Sequence, residues 1–318
     1  MNTITHTEES SVLIVDEMHL SILAMLEAVG LKPDYQPKIK RQEIIDIIAN
    51  YEGLIIRSKT KVDEELLLPA TRLKFIGRAG AGLDLIDETI VNKKNIKIFA
   101  ANEGNRVAVA EHIIGMLLCL MNNIMIADTQ VRAGKWLREE NRGYELLGKT
   151  VGLIGYGNNG METAKRLAAF GCKVLAYDKY KDNFSDAYAQ QASMEEIYAY
   201  ADILSLHIPL TDETFQLVNQ EFLGRFAKNI YFINASRGEI ASLEAIWQGL
   251  QSGKILGACL DVLENEKLNQ LTESQKNVFE QLIKSEKVVL TPHIAGWTHE
   301  SYVRINEVLV AKIQQMFS

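Results

Sequence analysis

Residues 150–178 read TVGLIGYGNNGMETAKRLAAFGCKVLAYD. The apolar run Val151–Ile154 leads into Gly155-Tyr156-Gly157-Asn158-Asn159-Gly160, and residues Met161–Phe170 continue with helical spacing. Gly171 stops that helix, Lys173–Tyr177 supplies a second strand, and Asp178 closes it at the distance a dinucleotide-binding βαβ unit requires. Each part has a physical task. Gly155 permits the tight turn, Gly157 lets backbone approach a pyrophosphate, and Gly160 allows close helix–sheet packing. The helix N-terminus, with Asn158 and Asn159 beside it, faces the phosphates with unpaired N–H groups and a favourable dipole. Asp178 would accept hydrogen bonds from ribose hydroxyls and repel a 2′-phosphate, which favours NAD over NADP. Lys179 and Lys181 soften that preference.

The same rhythm extends in both directions. Downstream, strands are predicted at Asp202–Leu206, Asn229–Ile233, Leu256–Leu260 and Val288–Leu290, which makes six parallel strands with the two above. Upstream, Val12–Val15, Gly53–Arg57, Lys74–Gly77 and Lys97–Ala100 read as strands of a first parallel sheet, with a helix over Leu20–Val29 after the first. Val107–Met125 reads as one long buried helix, and residues 128–149 as a polar, irregular arm. The amphipathic segment Ser301–Phe317 is expected to pack back onto the first domain. The expected fold is therefore α/β. A Rossmann dinucleotide-binding domain would occupy residues 106–296, and a flavodoxin-like substrate domain would be formed from both chain ends, residues 1–105 and 297–318.

Three charged residues follow strands of the second sheet: Arg237, Glu266 and His293. Ligands of open parallel sheets bind outside the carboxyl ends of the strands, so the three would converge on one crevice. An arginine grips a carboxylate, and a histidine held by a carboxylate exchanges a proton near neutral pH. Taken singly, Arg237 could cap a loop, Glu266 could be a solvated acid and His293 a core histidine. Their joint placement argues for hydride transfer to or from a hydroxy or oxo acid.

Composition agrees with an enzyme acting on small molecules. The chain has 318 residues, 47% of them hydrophobic and 24% charged, and a net charge of −7 that argues against a nucleic-acid partner. Cys119, Cys172 and Cys259 lie in apolar segments without a CxxC pairing, so neither a disulfide frame nor a bound metal is expected. The N-terminal MNTITHTEES lacks the basic region of a secretory signal. His112–Ala127, the most apolar later stretch, is shorter than the ~20 residues of a spanning helix. A cytoplasmic location away from membranes is the expectation.

These motifs resemble the D-2-hydroxyacid dehydrogenase family, and within it the D-3-phosphoglycerate dehydrogenases most. The resemblance runs from about Val12 to Val310 through RSKTKV (57–62), FIGRAGAGLDLID (75–87), EGNRVAVAEH (103–112), ELLGKTVGLIGYGNNG (145–160), LHIPLTDET (206–214), NASRGEI (234–240), GACLDVLENE (257–266) and TPHIAGW (291–297). It implies that Arg237 binds the substrate carboxylate and carbonyl oxygen, that His293 is the acid/base at the C2 oxygen, and that Glu266 is paired to it. It also implies that Asp261 holds the nicotinamide carboxamide, that His207 and Pro209 flank the adenine, and that Ala235, Ser236, Gly296 and Ala81 complete the cofactor contacts. Ala79 and Gly80 would meet the substrate carboxylate with backbone groups. Arg57, Ser58, Lys59, Arg78 and Asn105 match positions that line the substrate cleft in phosphoglycerate dehydrogenases. The resemblance further implies a homodimer joined through the arm around Trp136–Tyr144, with Arg138 or Arg142 reaching a substrate phosphate.

Three departures stand out. Asn159 replaces the usual aliphatic residue of the glycine loop, Lys267 replaces the usual proline after the glutamate, and residues 267–287 run long enough for an extra helix. Feedback by serine through an appended domain is not expected. The readings left open are D-3-phosphoglycerate oxidation, glyoxylate or hydroxypyruvate reduction, and a dinucleotide-sensing corepressor or scaffold.

Overall fold

The computed structural model describes residues 10–317, so the reading of the first nine residues as no secretory signal lies outside it. The chain separates into two compact units, Met1–Asn105 with Trp297–Ser318, and Arg106–Gly296.

In the first unit, five strands form one parallel sheet: β1 Ser11–Ile14, β2 Lys32–Tyr35, β3 Gly53–Ile56, β4 Phe75–Arg78 and β5 Lys97–Ala100. Their order is β2-β1-β3-β4-β5, the flavodoxin-like arrangement, which reverses direction between β1 and β3. The loops leaving those two strands carry Asp16 and Arg57, and Asp16 ties them together. Strand β2 was not anticipated, because KPDY has neither an apolar run nor alternation. As an edge strand bonded only to β1 it tolerates Pro33. One face of the sheet packs Val12, Ile14, Ile55 and Phe75 against Ile22 and Leu26 of the Ser21–Ala28 helix and Ile305, Leu309 and Ile313 of the His299–Gln314 helix. The spacing of those last three is helical, which draws the C-terminal segment into this core. The Thr298 side chain accepts from the Ser301 N–H and fixes where that helix begins.

Seven parallel strands make the second sheet: β6 Thr150–Ile154, β7 Lys173–Tyr177, β8 Gln190–Gln191, β9 Ile203–Leu206, β10 Ile230–Asn234, β11 Ile255–Leu260 and β12 Val288–Leu290. They lie in the order β12-β11-β10-β9-β6-β7-β8. Six strands were expected; β8 is two glutamines with no apolar signature. The reversal falls between β6 and β9, where a dinucleotide-binding sheet opens its crevice. Apolar clusters cover both faces, as a parallel sheet demands.

The long helix expected over Val107–Met125 is two helices, Arg106–Met121 and Ile124–Arg132, bent by 60°. Asn123 between them adopts φ 54°, a left-handed conformation that interrupts the helical bonding. The second helix takes in the start of the stretch expected to be irregular, and none of its residues is buried. Among the described residues no single helix is long and apolar enough to cross a membrane. The long 267–287 segment does contain a helix, Glu273–Leu282, started by the Thr272 side chain accepting from the Gln275 N–H.

Candidate active site

The glycine turn forms at the carboxyl end of β6. Gly155 has φ 95°, and a Cβ there would lie 2.3 Å from the His207 carbonyl oxygen. A Cβ on Gly160 would lie 2.3 Å from the Gly155 oxygen, so the helix Asn158–Ala169 starts flush against the turn. Gly157 differs, since nothing stands within 4 Å of where its side chain would be. A turn that is crowded behind and open in front, at the start of a twelve-residue helix, fits a pyrophosphate. Asn159 Oδ1 is buried there without a hydrogen-bond partner.

Asp178 caps β7, accepting the Tyr156 N–H at 2.9 Å and the Tyr180 N–H at 3.0 Å, one on each oxygen. Each oxygen keeps a lone pair for a hydroxyl. The two lysines expected to counter its charge are engaged elsewhere: Lys179 is paired with Glu213, and Lys181 Nζ donates to the Tyr156 carbonyl at 2.7 Å. His207 lies half-buried beyond β9, its Nε2 3.0 Å from Ser205 Oγ, and burial pushes its pKa down to about 4. It is a neutral packing residue rather than a charge for a ligand. Pro209 is exposed nearby on the same segment.

The charged residues sit on three neighbouring loops. After β10, buried Asn234 holds the turn by accepting the Ser236 N–H and donating to the Arg237 carbonyl, while Ser236 Oγ donates to the Leu206 oxygen. That turn frames Ala235 and presents Arg237. A Cβ on the next residue, Gly238, would fall 1.8 Å from the Leu263 oxygen. The loop bearing Arg237 is thereby in contact with the loop bearing Glu266. Glu266 Oε1 lies 2.9 Å from His293 Nδ1. This bond raises the His293 pKa above its usual value, against desolvation and the charge of Arg237. The three residues therefore share one electrostatic environment.

His293 itself is left-handed, with φ 56°. Asp261 imposes that shape. Its backbone oxygen accepts the His293 N–H at 2.7 Å, and its carboxylate accepts the Ile294 and Ala295 N–H groups, each at 2.8 Å. Thr291 Oγ1 donates to the same carboxylate at 2.6 Å, with His112 Nε2 3.0 Å from that hydroxyl. Burial alone would raise the Asp261 carboxyl, but the bonds from His112, Thr291, Ala295 and Ile294 outweigh it and hold it below the ordinary range. At 1% exposure Asp261 also serves as a scaffold for the histidine loop, a task its sequence position did not announce. Thr291 and His112 were quoted only within motifs, and nothing in their spacing signalled this task.

The model of the D-isomer specific 2-hydroxyacid dehydrogenase NAD binding domain matches residues 114–295. The chain belongs to this dehydrogenase family. It is 34% identical over 307 residues to the D-3-phosphoglycerate dehydrogenase of Archaeoglobus fulgidus, covering 96% of this chain and 57% of that one. It is 36% identical over 275 residues to the hydroxypyruvate reductase of Thermotoga maritima, covering 86% and 88%. The structure of a D-lactate dehydrogenase from Aquifex aeolicus, complexed with NAD and lactic acid, superposes with a TM-score of 0.81 at 27% identity, covering 97% and 95%. The chain spans little more than half the length of the phosphoglycerate dehydrogenases it matches.

Within this family member the NAD-binding domain is present, with its glycine turn open to a dinucleotide. Several expectations for the first unit need correction. Lys59 Nζ donates to the carbonyls of Val15, Pro37 and Ile39, which uses all three ammonium hydrogens, so its side chain has none for a phosphate. Arg78 donates to the Gly82 and Ala79 carbonyls and so braces its own turn. The Ala79 N–H goes to the Ile56 oxygen and the Gly80 N–H to the Arg78 oxygen. Ala81 and Ser58 are exposed, Gly296 is half-buried, and Asn105 Oδ1 is buried without a partner. Arg138 is exposed on the arm, and Arg142 pairs with Glu139 at 2.5 Å. Arg57 keeps in-plane N–H donors free for an anion, with one guanidinium bond among the described residues, to the Glu17 carbonyl. Asp16, which sequence reasoning missed, holds it by accepting the Arg57 N–H at 2.6 Å.

Proposed function

We propose that this chain is an NAD-dependent oxidoreductase acting on the CH–OH group of a D-2-hydroxy acid, with D-3-phosphoglycerate, oxidised to 3-phosphohydroxypyruvate on the way to serine, as its substrate. The observation that carries the reading is the Glu266–His293 pair beside Arg237. In oxidation, neutral His293 takes the C2 hydroxyl proton on Nε2, because Nδ1 is held by Glu266. Arg237 binds the substrate carboxylate and faces the oxygen whose charge changes. The nicotinamide cofactor, when bound, supplies the acceptor for the C2 hydride. Gly155, Gly157, Asn158, Asn159 and Gly160 would hold its pyrophosphate, Asp178 its ribose, and Ala235, Ser236 and Asp261 its nicotinamide side. In reduction the charged histidine returns the proton, and Glu266 keeps it charged.

A second reading, a hydroxypyruvate or glyoxylate reductase, is favoured by one observation. With the Lys59 ammonium and part of the Arg78 guanidinium donating to carbonyls, the first unit offers a phosphate fewer free N–H donors than its sequence suggested. The chain also acts, in our reading, as a cytoplasmic homodimer joined through residues 128–149. Support comes from Trp136, Tyr144 and Leu147, exposed by 78, 63 and 71%, and from cysteines that are all free. Turnover of D-3-phosphoglycerate, D-glycerate, hydroxypyruvate and glyoxylate with NAD(H) tests the assignment. A kcat/KM highest for D-3-phosphoglycerate is expected. Activity confined to the unphosphorylated acids would transfer the assignment to the reductase.

A further inference from the structure

Arg57 is fixed at both ends of its side chain. Asp16, 2% exposed, accepts the backbone N–H groups of Arg57 and Lys59 and the Thr60 hydroxyl, so the loop after β3 is stitched to the loop after β1. At the other end the guanidinium carbon lies 3.6 Å from the centroid of the Trp297 ring and 4.9 Å from that of Tyr302. The two rings stand 5.5 Å apart and 33° from parallel, so they form a shallow cup with the guanidinium seated in it. His19 braces the cup from outside, edge-on to Tyr302 at 5.8 Å. One hydrogen bond leaves the guanidinium, from Nη1 to the Glu17 carbonyl at 3.3 Å.

This arrangement has a chemical meaning. Stacking on an aromatic ring uses the face of a guanidinium and leaves its in-plane donors pointing outward. Desolvation lowers the Arg57 pKa, yet an arginine stays charged, so a half-buried cation waits beside aromatic walls without an ion pair to a carboxylate among the described residues. A fork held in advance loses little freedom when an oxyanion arrives. Trp297 is 58% exposed, so the wall on which the guanidinium rests is open to solvent.

We propose that Trp297 and Tyr302 are positioning and specificity-determining residues of the first unit, which hold the Arg57 fork edge-on to receive an oxyanion group of the bound acid. The inference rests on the function proposed above for the identity of the substrate, but not for the existence of the anion site. Phosphate and carboxylate share the recognition chemistry, and the arms of the test separate them.

Kinetics of the full-length Trp297→Ala, Trp297→Phe and Arg57→Ala variants on D-3-phosphoglycerate and D-glycerate test it, together with emission. In a Trp136→Phe/Trp247→Phe background Trp297 is the sole tryptophan, and its fluorescence reports directly on the cup during titration with inorganic phosphate, malonate or D-3-phosphoglycerate. Trp297→Ala should raise KM for D-3-phosphoglycerate about tenfold more than for D-glycerate, within the range of a desolvated cation–π contact, and Trp297→Phe should restore most of the difference. The anions should change Trp297 emission, and Arg57→Ala should abolish the change. A response to malonate stronger than to phosphate would place a carboxylate in the fork and still support it. Emission that no anion moves, or equal KM changes on both substrates, would overturn the proposal. If the wild-type chain turned over neither acid, the assigned reaction would fail while the emission titration still decided the cup.

Discussion

Asp261 takes three successive N–H groups from His293, Ile294 and Ala295, one on its backbone oxygen and two on its carboxylate. The histidine would not otherwise adopt φ 56°, a region costly for a residue with a Cβ. Proton chemistry on this loop is therefore set by a residue that need not touch the proton.

Asp261→Asn should lower kcat without abolishing cofactor binding. An amide cannot accept on both atoms, so one buried N–H loses its partner at a cost of about 1–3 kcal/mol. Parallel measurement of NAD affinity and kcat checks this; an unaltered kcat would remove Asp261 from any role in placing the histidine. The depressed Asp261 carboxyl also fixes a sign. Its contribution to stability is present above the unfolded-state value and is lost as pH falls through the lower folded value.

His293→Ala should reduce kcat by about 10²-fold or more, the scale for a positioned acid/base. The Glu266 bond raises the His293 pKa, so reduction, which needs the charged ring, should decline as pH rises through that raised value, and oxidation should gain. Glu266→Gln should move both limbs toward lower pH. Profiles that do not shift would mean that the pair is uncoupled in solution.

Cofactor choice offers a third check. With Lys179 paired to Glu213 and Lys181 donating to the Tyr156 carbonyl, neither lysine is ion-paired with Asp178, so NAD should be preferred. Asp178→Ala should relax that preference. Glu213→Gln should release Lys179 and lower KM for NADP about two- to fivefold, a modest effect in keeping with an exposed pair. A wild-type chain that used both cofactors equally would contradict this account of Asp178.

Gly238→Ala should destabilise the chain by more than 1–3 kcal/mol, the usual cost of overpacking. The obstacle is backbone at 1.8 Å rather than a side chain that can turn away. Thermal melting, with activity as a second readout, measures it. A variant that melted like the wild type would show that the Leu263 loop yields freely.

Much of this was visible in the sequence. The α/β class, both parallel sheets and the glycine turn followed from apolar runs such as VGLI and GLII and from three glycines in register. Strands β2 and β8 were invisible because edge strands need no apolar signature. The bend at Asn123 was hidden inside a continuous apolar pattern. Lys59 and Arg78 were misjudged for another reason. Their charge is a property of sequence, but the carbonyls that accept their hydrogens belong to residues 15, 37, 39, 79 and 82, brought there only by folding. The Trp297–Arg57–Tyr302 cup joins residues 240 positions apart and left no local mark.

Asp16 and Asp261 anchor their loops through main-chain N–H groups, which every amino acid except proline possesses. The anchors are therefore indifferent to which side chains those loops display. Positions 57 and 294 can be rewritten by drift or by design while the frame that aims them persists. A descendant of this chain could exchange its substrate vocabulary at those sites, with proline as the one forbidden letter.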